Sequence, residues 1–214
     1  LLGDLLSAGV ETDEAAVRAA TVPPDVPPAR AAGDSPSVSG QTTTMSLTAT
    51  VGAQDVSELT IREPASGPDL AEQGLRFAGF DSIQWPDGAV AAAIEYQYAD
   101  CAAEPAKTTT DVDTLPDPTA GCRVSGYEVT FTAPPGSDAI GSGAYALLSM
   151  MVTADVVEGT EPVVRSNRAD ATATNSNNQS GTDDSTVNFQ IAPLQVFTSL
   201  TKQLLPNELW SAPG

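Results

Sequence analysis

Histidine is absent from this sequence. Without an imidazole there is no Ser-His-Asp or Cys-His nucleophile system, no HExxH zinc site, and little of the proton transfer on which most hydrolases run. Cysteine is nearly absent too. Cys101 and Cys122 are the only two, and two thiols with no histidine cannot give zinc its four ligands. Aromatic residues make up 5% of the chain, so rings for stacking sugars are few: Trp85, Trp210 and some tyrosines. A glycosidase needs only two acids at a suitable separation, but the acids here are scattered over outward strand positions and loops. No run approaches about 18 consecutive apolar residues, so no segment is expected to span a membrane. Residues 1–10 carry Asp4 and no basic region, so they do not read as a signal peptide; a signal for secretion would lie upstream.

Positive charge is the other scarcity. Nine bases face 28 acids, for a formal net charge of -19, and Lys107 and Lys202 are the only lysines. Such a surface repels phosphate backbones, which excludes nucleic acid as a partner. It also keeps copies of the chain apart unless salt or divalent cations screen them. What the chain has in quantity is small apolar residues: 41% of it is hydrophobic, mostly Ala, Val and Leu among abundant Thr, Ser and Gly. That mixture suits strands of a thin sandwich.

From residue 42 the pattern has period two. Met45, Leu47, Ala49 and Val51 alternate with Ser46, Thr48 and Thr50, as in a half-buried strand. Leu59 and Ile61 alternate with Glu58, Thr60 and Arg62. Ile94, Tyr96 and Tyr98 alternate with Glu95 and Gln97, and Tyr127, Val129 and Phe131 with Glu128, Thr130 and Thr132. The run AYALLSMMVTADVV is more continuously apolar, as in a central strand. Two further strands flank the polar stretch NSNNQSGTDD, taken as a turn, and LQVFTSLTKQLLP reads as a last strand. Turn signals recur at the spacing of an antiparallel sandwich. The expectation is an all-β chain: an antiparallel β-sandwich of eight to ten strands over residues 41–200.

Residues 1–40 differ. Thr12 as N-cap, with Asp13 and Glu14 ahead of Ala15, Ala16, Val17 and Ala19, predicts a short helix. Pro23, Pro24, Pro27, Pro28 and Pro36 then forbid regular helix and interior strand. That stretch reads as a linker, or as a strap laid across the domain.

Cys101 and Cys122 lie 21 positions apart, in turn-rich sequence between two strand-like runs. A hairpin there brings them together, and a disulfide stabilises such a loop by roughly 3 kcal/mol in an oxidising compartment. The alternative is two unrelated buried thiols. For calcium, the acidic loops offer Asp111 with Asp113 and Asp183 with Asp184 as oxygen ligands. Neither pair completes a loop consensus, and solvated acidic turns are the plainer reading. An internal isopeptide bond needs a lysine, an Asn or Asp acceptor and a buried acid. Lys202 is the candidate amine, with Asn188 and Asn175 as acceptors; Lys107, taken to lie in a loop, is less suited. Asn178-Gln179-Ser180 is a glycosylation sequon in a polar turn, with chance as its default reading. IGSGAYA lacks the third glycine of a nucleotide loop. Trp85 is expected to plug the core at a strand end, and Trp210 to dock at a boundary.

Four segments, TVGAQDVSELTIREPA, FDSIQWPDGAVAAAIEYQYADC, LPDPTAGCRVSGYEVTFTAPPG and LTKQLLPNELWSAPG, resemble the repeat modules of long, adhesin-like cell-surface proteins of actinobacteria. Low lysine with abundant acid fits such a high-GC exoprotein, or a halophile protein. Residues 201–214 are similar to the opening of a following Ig-like surface repeat. The resemblance implies an Ig-like sandwich serving as a non-enzymatic spacer of an extracellular stalk, adhesin or filament. Its partners would be neighbouring modules, copies of itself or a host ligand, with no cofactor beyond a calcium ion. The alternatives are a self-assembling filament, sheath or virion subunit that exchanges a terminal strand, and a sandwich binding carbohydrate or protein through its tip loops.

Overall fold

The computed structural model describes residues 18–20, 37–38, 40–159 and 161–193. These form eleven strands and no helix. The eight strands of six residues or more are β3 (Thr42–Thr50), β4 (Glu58–Glu63), β5 (Leu75–Gln84), β6 (Ala91–Tyr98), β8 (Val124–Thr132), β9 (Tyr145–Ala154), β10 (Val163–Thr174) and β11 (Ser180–Ala192). Three are short: β1 (Arg18–Ala20), β2 (Ser37–Val38) and β7 (Lys107–Thr109). One sheet has the order β1-β3-β9-β5 and the other β2-β11-β10-β4-β8-β6-β7. Every pairing is antiparallel except that of β2 with β11. The protein is thus an Ig-like antiparallel β-sandwich.

The period-two pattern becomes the core directly. Leu47 and Ala49 of β3 and Ala146, Leu148, Met150 and Val152 of β9 face Leu59 and Ile61 of β4, Ile94 and Tyr96 of β6, and Tyr127, Val129 and Phe131 of β8, all buried. On β10 the buried apolar residues are Ala169, Ala171 and Ala173. The continuously apolar strand, β9, is flanked on both sides by β3 and β5, as its sequence predicted. At the free edge, β5 breaks register twice, between Phe77 and Gly79 and between Phe80 and Ser82. Such bulges twist an edge strand away from foreign partners.

The two poles of the sandwich can be told apart by contacts. At one, Gly40 donates to the carbonyl of Ala154, Asp155 to that of Gly74, and Ile191 pairs with Ser37. At the other lie Thr50, paired with Arg18 and Tyr145, and Val56, bridged to Ile140.

Several expectations change. Ala19, placed in a helix, lies in β1 and pairs with Ala49: an alanine-rich stretch that finds an open strand edge joins it, because tertiary pairing overrides weak propensity. The rest of that helix, from Thr12 to Val17, and Pro23 to Pro36 fall outside the described residues. The polar turn after β10 is shorter than NSNNQSGTDD. It spans Asn175 to Gln179, with Asn178 at φ 60°, and Asp183 and Asp184 belong to β11. Lys107 lies in β7, not in a loop. The expected strand LQVFTSLTKQLLP, Lys202 and Trp210 lie outside the described residues.

Candidate functional site

The chemistry-bearing residues concentrate in two places: a polar cluster inside the sandwich and the cross-linked connection between β6 and β8.

The interior cluster begins in β4. Leu59 and Ile61 point inward, so period two puts Glu63 inward as well, and it is 3% exposed. Tyr127 stands opposite it on β8 and Gly126 follows alongside. A Cβ at Gly126 would meet the carbonyl oxygen of Glu63 at 3.0 Å and Cδ of Pro64 at 3.1 Å. The missing side chain is what lets β4 and the chain after it lie this close. Asn167, two residues before the alanine stripe of β10, donates its Nδ2 to Oε1 of Glu63. Gln73, also buried, donates its Nε2 to the carbonyl of Pro68 at 2.7 Å and to Oδ1 of Asn167 at 3.3 Å. Met45, Met150, Ala169 and Val187 close an apolar wall around a cavity of about 20 Å³, too small for a metabolite.

Electrostatics follow from this burial. Loss of solvent pushes the Glu63 carboxyl up to about 7, against the opposing hydrogen bond from Asn167 and with a smaller push from Asp170. Burial likewise drives the Tyr127 phenol well above its ordinary value, with the Glu63 charge adding to it. The Tyr127 hydroxyl and Oε1 of Gln73 have no hydrogen-bond partner. Glu63 is the one buried acid among the described residues, so the interior holds no carboxylate pair of the glycosidase kind.

Glu63 and Asn167 do supply two parts of isopeptide chemistry, a buried acid hydrogen-bonded to an amide. They are not the acceptors expected. Asn188 is exposed on β11, and Asn175 closes the β10–β11 turn, giving its Nδ2 to Gln179 and its Oδ1 to the amides of Asn177 and Gln179. Among the described residues the one lysine, Lys107, is far from the pair in β7. Its Nζ donates to the carbonyl of Asp117 at 2.9 Å and lies 3.5 Å from Glu104.

The second region is the connection from β6 to β8. These strands pair directly, with Tyr98 opposite Val124, which brings Cys101 and Cys122 to a Cα separation of 5.7 Å, joined as a disulfide. The residues between are held to the body at several points. Tyr96 donates its hydroxyl to the carbonyl of Pro116, Thr119 donates its amide to the Tyr98 hydroxyl, and Trp85 donates Nε1 to the carbonyl of Thr114. Trp85 is buried with its ring edge-on to Phe131, the plug expected. Beside the disulfide, Arg123 reaches Asp155 at 2.8 Å, and the same carboxylate takes Arg76.

The four calcium candidates do not converge. Asp113 accepts the amide of Trp85 at Oδ1, the main-chain carbonyl of Asp111 accepts the Thr114 hydroxyl, and Asp184 pairs with Arg168 across the β10–β11 ladder. Asp183 and Asp184 are consecutive on a strand and so point to opposite faces. No group of three possible ligands is present among the described residues. Sequence reasoning missed Glu63, Asn167 and Gln73. The signal for two of them was present: Glu63 continues the inward series of Leu59 and Ile61, and Asn167 that of Ala169 and Ala171.

No protein-family model and no curated protein sequence matches the chain. Among solved structures, domains D2 and D3 of the major pilin SpaD from Corynebacterium diphtheriae are similar, with 16% identity, a TM-score of 0.42, and coverage of 73% of this chain and 49% of that one. The full-length SpaD pilin gives 15% identity and 0.40, over 83% of this chain and 33% of the pilin. ACE19, the collagen-binding subdomain of the Enterococcus faecalis surface protein ACE, gives 9% and 0.32, over 72% and 90%. The chain thus spans half or less of the pilin structures it is similar to.

Proposed function

We propose that this chain is a non-enzymatic spacer module of an extracellular stalk, adhesin or filament, working at the cell surface in an oxidising compartment. The observation that carries this reading is the path of the chain. It comes into β1 at the pole of Thr50 and runs toward the other pole, where β11 ends beside Ser37 and Gly74. Entry and exit at opposite poles are what a bead in a linear array needs. The interior supports it: its space is filled by side chains from both sheets rather than kept for a ligand. On this reading the partners are neighbouring modules, and residues 201–214 belong to the junction with the next one.

A second reading has its own observation. The N-terminal part of the chain adds one short strand to the edge of each sheet, β1 to β3 and β2 to β11, and strands attached this way can pass to a neighbouring copy. Sedimentation of the whole chain, and of a chain lacking residues 1–40, separates the two. A spacer is monomeric in both forms and keeps its folded core on truncation. Polymers that form with the whole chain and vanish on truncation would replace the spacer with an exchanging subunit.

A further inference from the structure

Five large apolar side chains are exposed among the described residues: Val90, Val112, Tyr145, Val156 and Val164. Single exposed apolar residues are ordinary on a protein surface, but these fall into two groups, one at each pole. Val112 follows β7 and lines, with Ile83 and Ala89, a groove of about 370 Å³. Val90 continues the chain from Ala89 and donates its amide to the carbonyl of Thr132. Tyr145 pairs with Thr50, and its hydroxyl lies 3.3 Å from Oε1 of Gln84, another lining residue. All three therefore border one groove at the pole of Thr50 and Val56. Val156 and Val164 lie at the other pole. Val156 follows Asp155, whose amide is bonded to Gly74, and Val164 pairs with Gln190 near the end of β11. They stand on either side of the connection that carries the chain from β9 in one sheet to β10 in the other.

We propose that copies of this module dock head to tail, the groove of one receiving Val156 and Val164 of the copy before it; the inference rests on the spacer reading and supplies the joint. The path of the chain names a second copy as the occupant. β1 lies at the groove pole and β11 ends at the valine pole, so neighbours in a linear array meet groove to valines. The two poles carry different surfaces, and a contact between unlike surfaces propagates as an open chain. Contact side by side is opposed, because Asp184, Asp170, Glu128 and Glu95 cross the outer face of the larger sheet. Charge also weakens the joint itself. Asp87 and Asp113 in the groove meet Glu158 and Glu161 of the β9–β10 connection, so docking needs salt to screen them. Two valines set in a groove make a small contact, and small contacts between separate chains are weak. Modules joined by a short linker present their poles to each other at millimolar effective concentration. Dilute chains stay apart; joined modules dock.

The test follows backbone amide resonances of the whole chain as its concentration rises from about 0.05 to about 2 mM in about 1 M salt. Amides of the groove and of the β9–β10 connection should shift together with concentration, while those at the centre of each sheet stay fixed. Val112→Asp and Val164→Asp, both at exposed positions, should each abolish the shifts. Mixing the two variants should restore them, since each keeps the pole that the other has lost. In the mixture the groove should shift only in the Val164→Asp chain, and the connection only in the Val112→Asp chain. Wild-type resonances that do not move with concentration would overturn the joint and leave the spacer reading standing, a string of modules without fixed contacts. A single variant that keeps the shifts, or a mixture that stays silent, overturns it as well. The spacer reading fails on a different result, polymers that vanish when residues 1–40 are removed.

Discussion

Single side chains here do one of two things: fill the space between the sheets or satisfy a polar atom trapped there. Tyr127 does the first with its ring, packed edge-on against Phe80 at 5.3 Å, and leaves its hydroxyl unpartnered. Removing the ring and removing the hydroxyl should therefore differ. Tyr127→Ala should cost about 3–5 kcal/mol through the cavity it leaves. Tyr127→Phe should change the stability read from denaturant unfolding by less than about 1 kcal/mol in either direction, because no hydrogen bond is lost. Gly88 is the sharpest backbone constraint. Its φ is +91°, and a Cβ there would stand 1.9 Å from the carbonyl oxygen of Ala139. Gly88→Ala should destabilise by at least about 2 kcal/mol in the same assay, since the clash is with backbone that also carries the Val56–Ile140 bridge.

Among the elements, the β6–β8 connection has the greatest consequence. Its strands pair over eight positions, and the disulfide closes the chain between them. Reduction, or Cys101→Ser with Cys122→Ser, should lower stability by roughly 3 kcal/mol, read as a shift in urea midpoint; an unchanged midpoint would mean that the hydrogen bonds of Tyr96, Tyr98 and Trp85 alone hold the loop. This level of structure was the most legible in the sequence. Alternation as strict as Tyr127, Val129, Phe131 leaves one answer for which face is inside, and β9 announced itself by lacking polar alternation. Less legible was everything set by partners distant in sequence. Asp183 and Asp184 look like turn residues until β10 supplies a ladder to extend them, and Ala19 looks helical until β3 offers an edge. Glu63 was hidden for a different reason: a carboxyl in the last inward place of a strand reads as the strand's end, and only the fold supplies Asn167 to receive it.

At the scale of the molecule, charge and topology act together. Across the outer face of the larger sheet, Asp184, Asp170, Arg62, Glu128 and Glu95 stand side by side on five adjacent strands. Two of those contacts, Asp170 with Asp184 and Glu128 with Glu95, set like charges opposite each other, an arrangement that destabilises a sheet. With a net charge of -19 behind it, the fold should become more stable as salt is raised. Its thermal midpoint should climb between low ionic strength and about 1 M, where charges are screened within about 3 Å. A falling midpoint would show that the five ion pairs among the described residues, with Arg62–Glu128 and Arg123–Asp155 among them, outweigh the repulsion.

The central claim is that a cross-linked sandwich transmits load between its poles, and pulling a single molecule by its ends addresses it most directly. The three-residue pairing of β1 should release first at low force, followed by one dominant event as the two sheets separate. With the disulfide intact, the stretch between Cys101 and Cys122, a sequence separation of 21, stays hidden from the tether, so reduction should lengthen the released chain by about 70 Å. A run of small, low-force releases with no dominant event, and a length indifferent to reductant, would contradict the account.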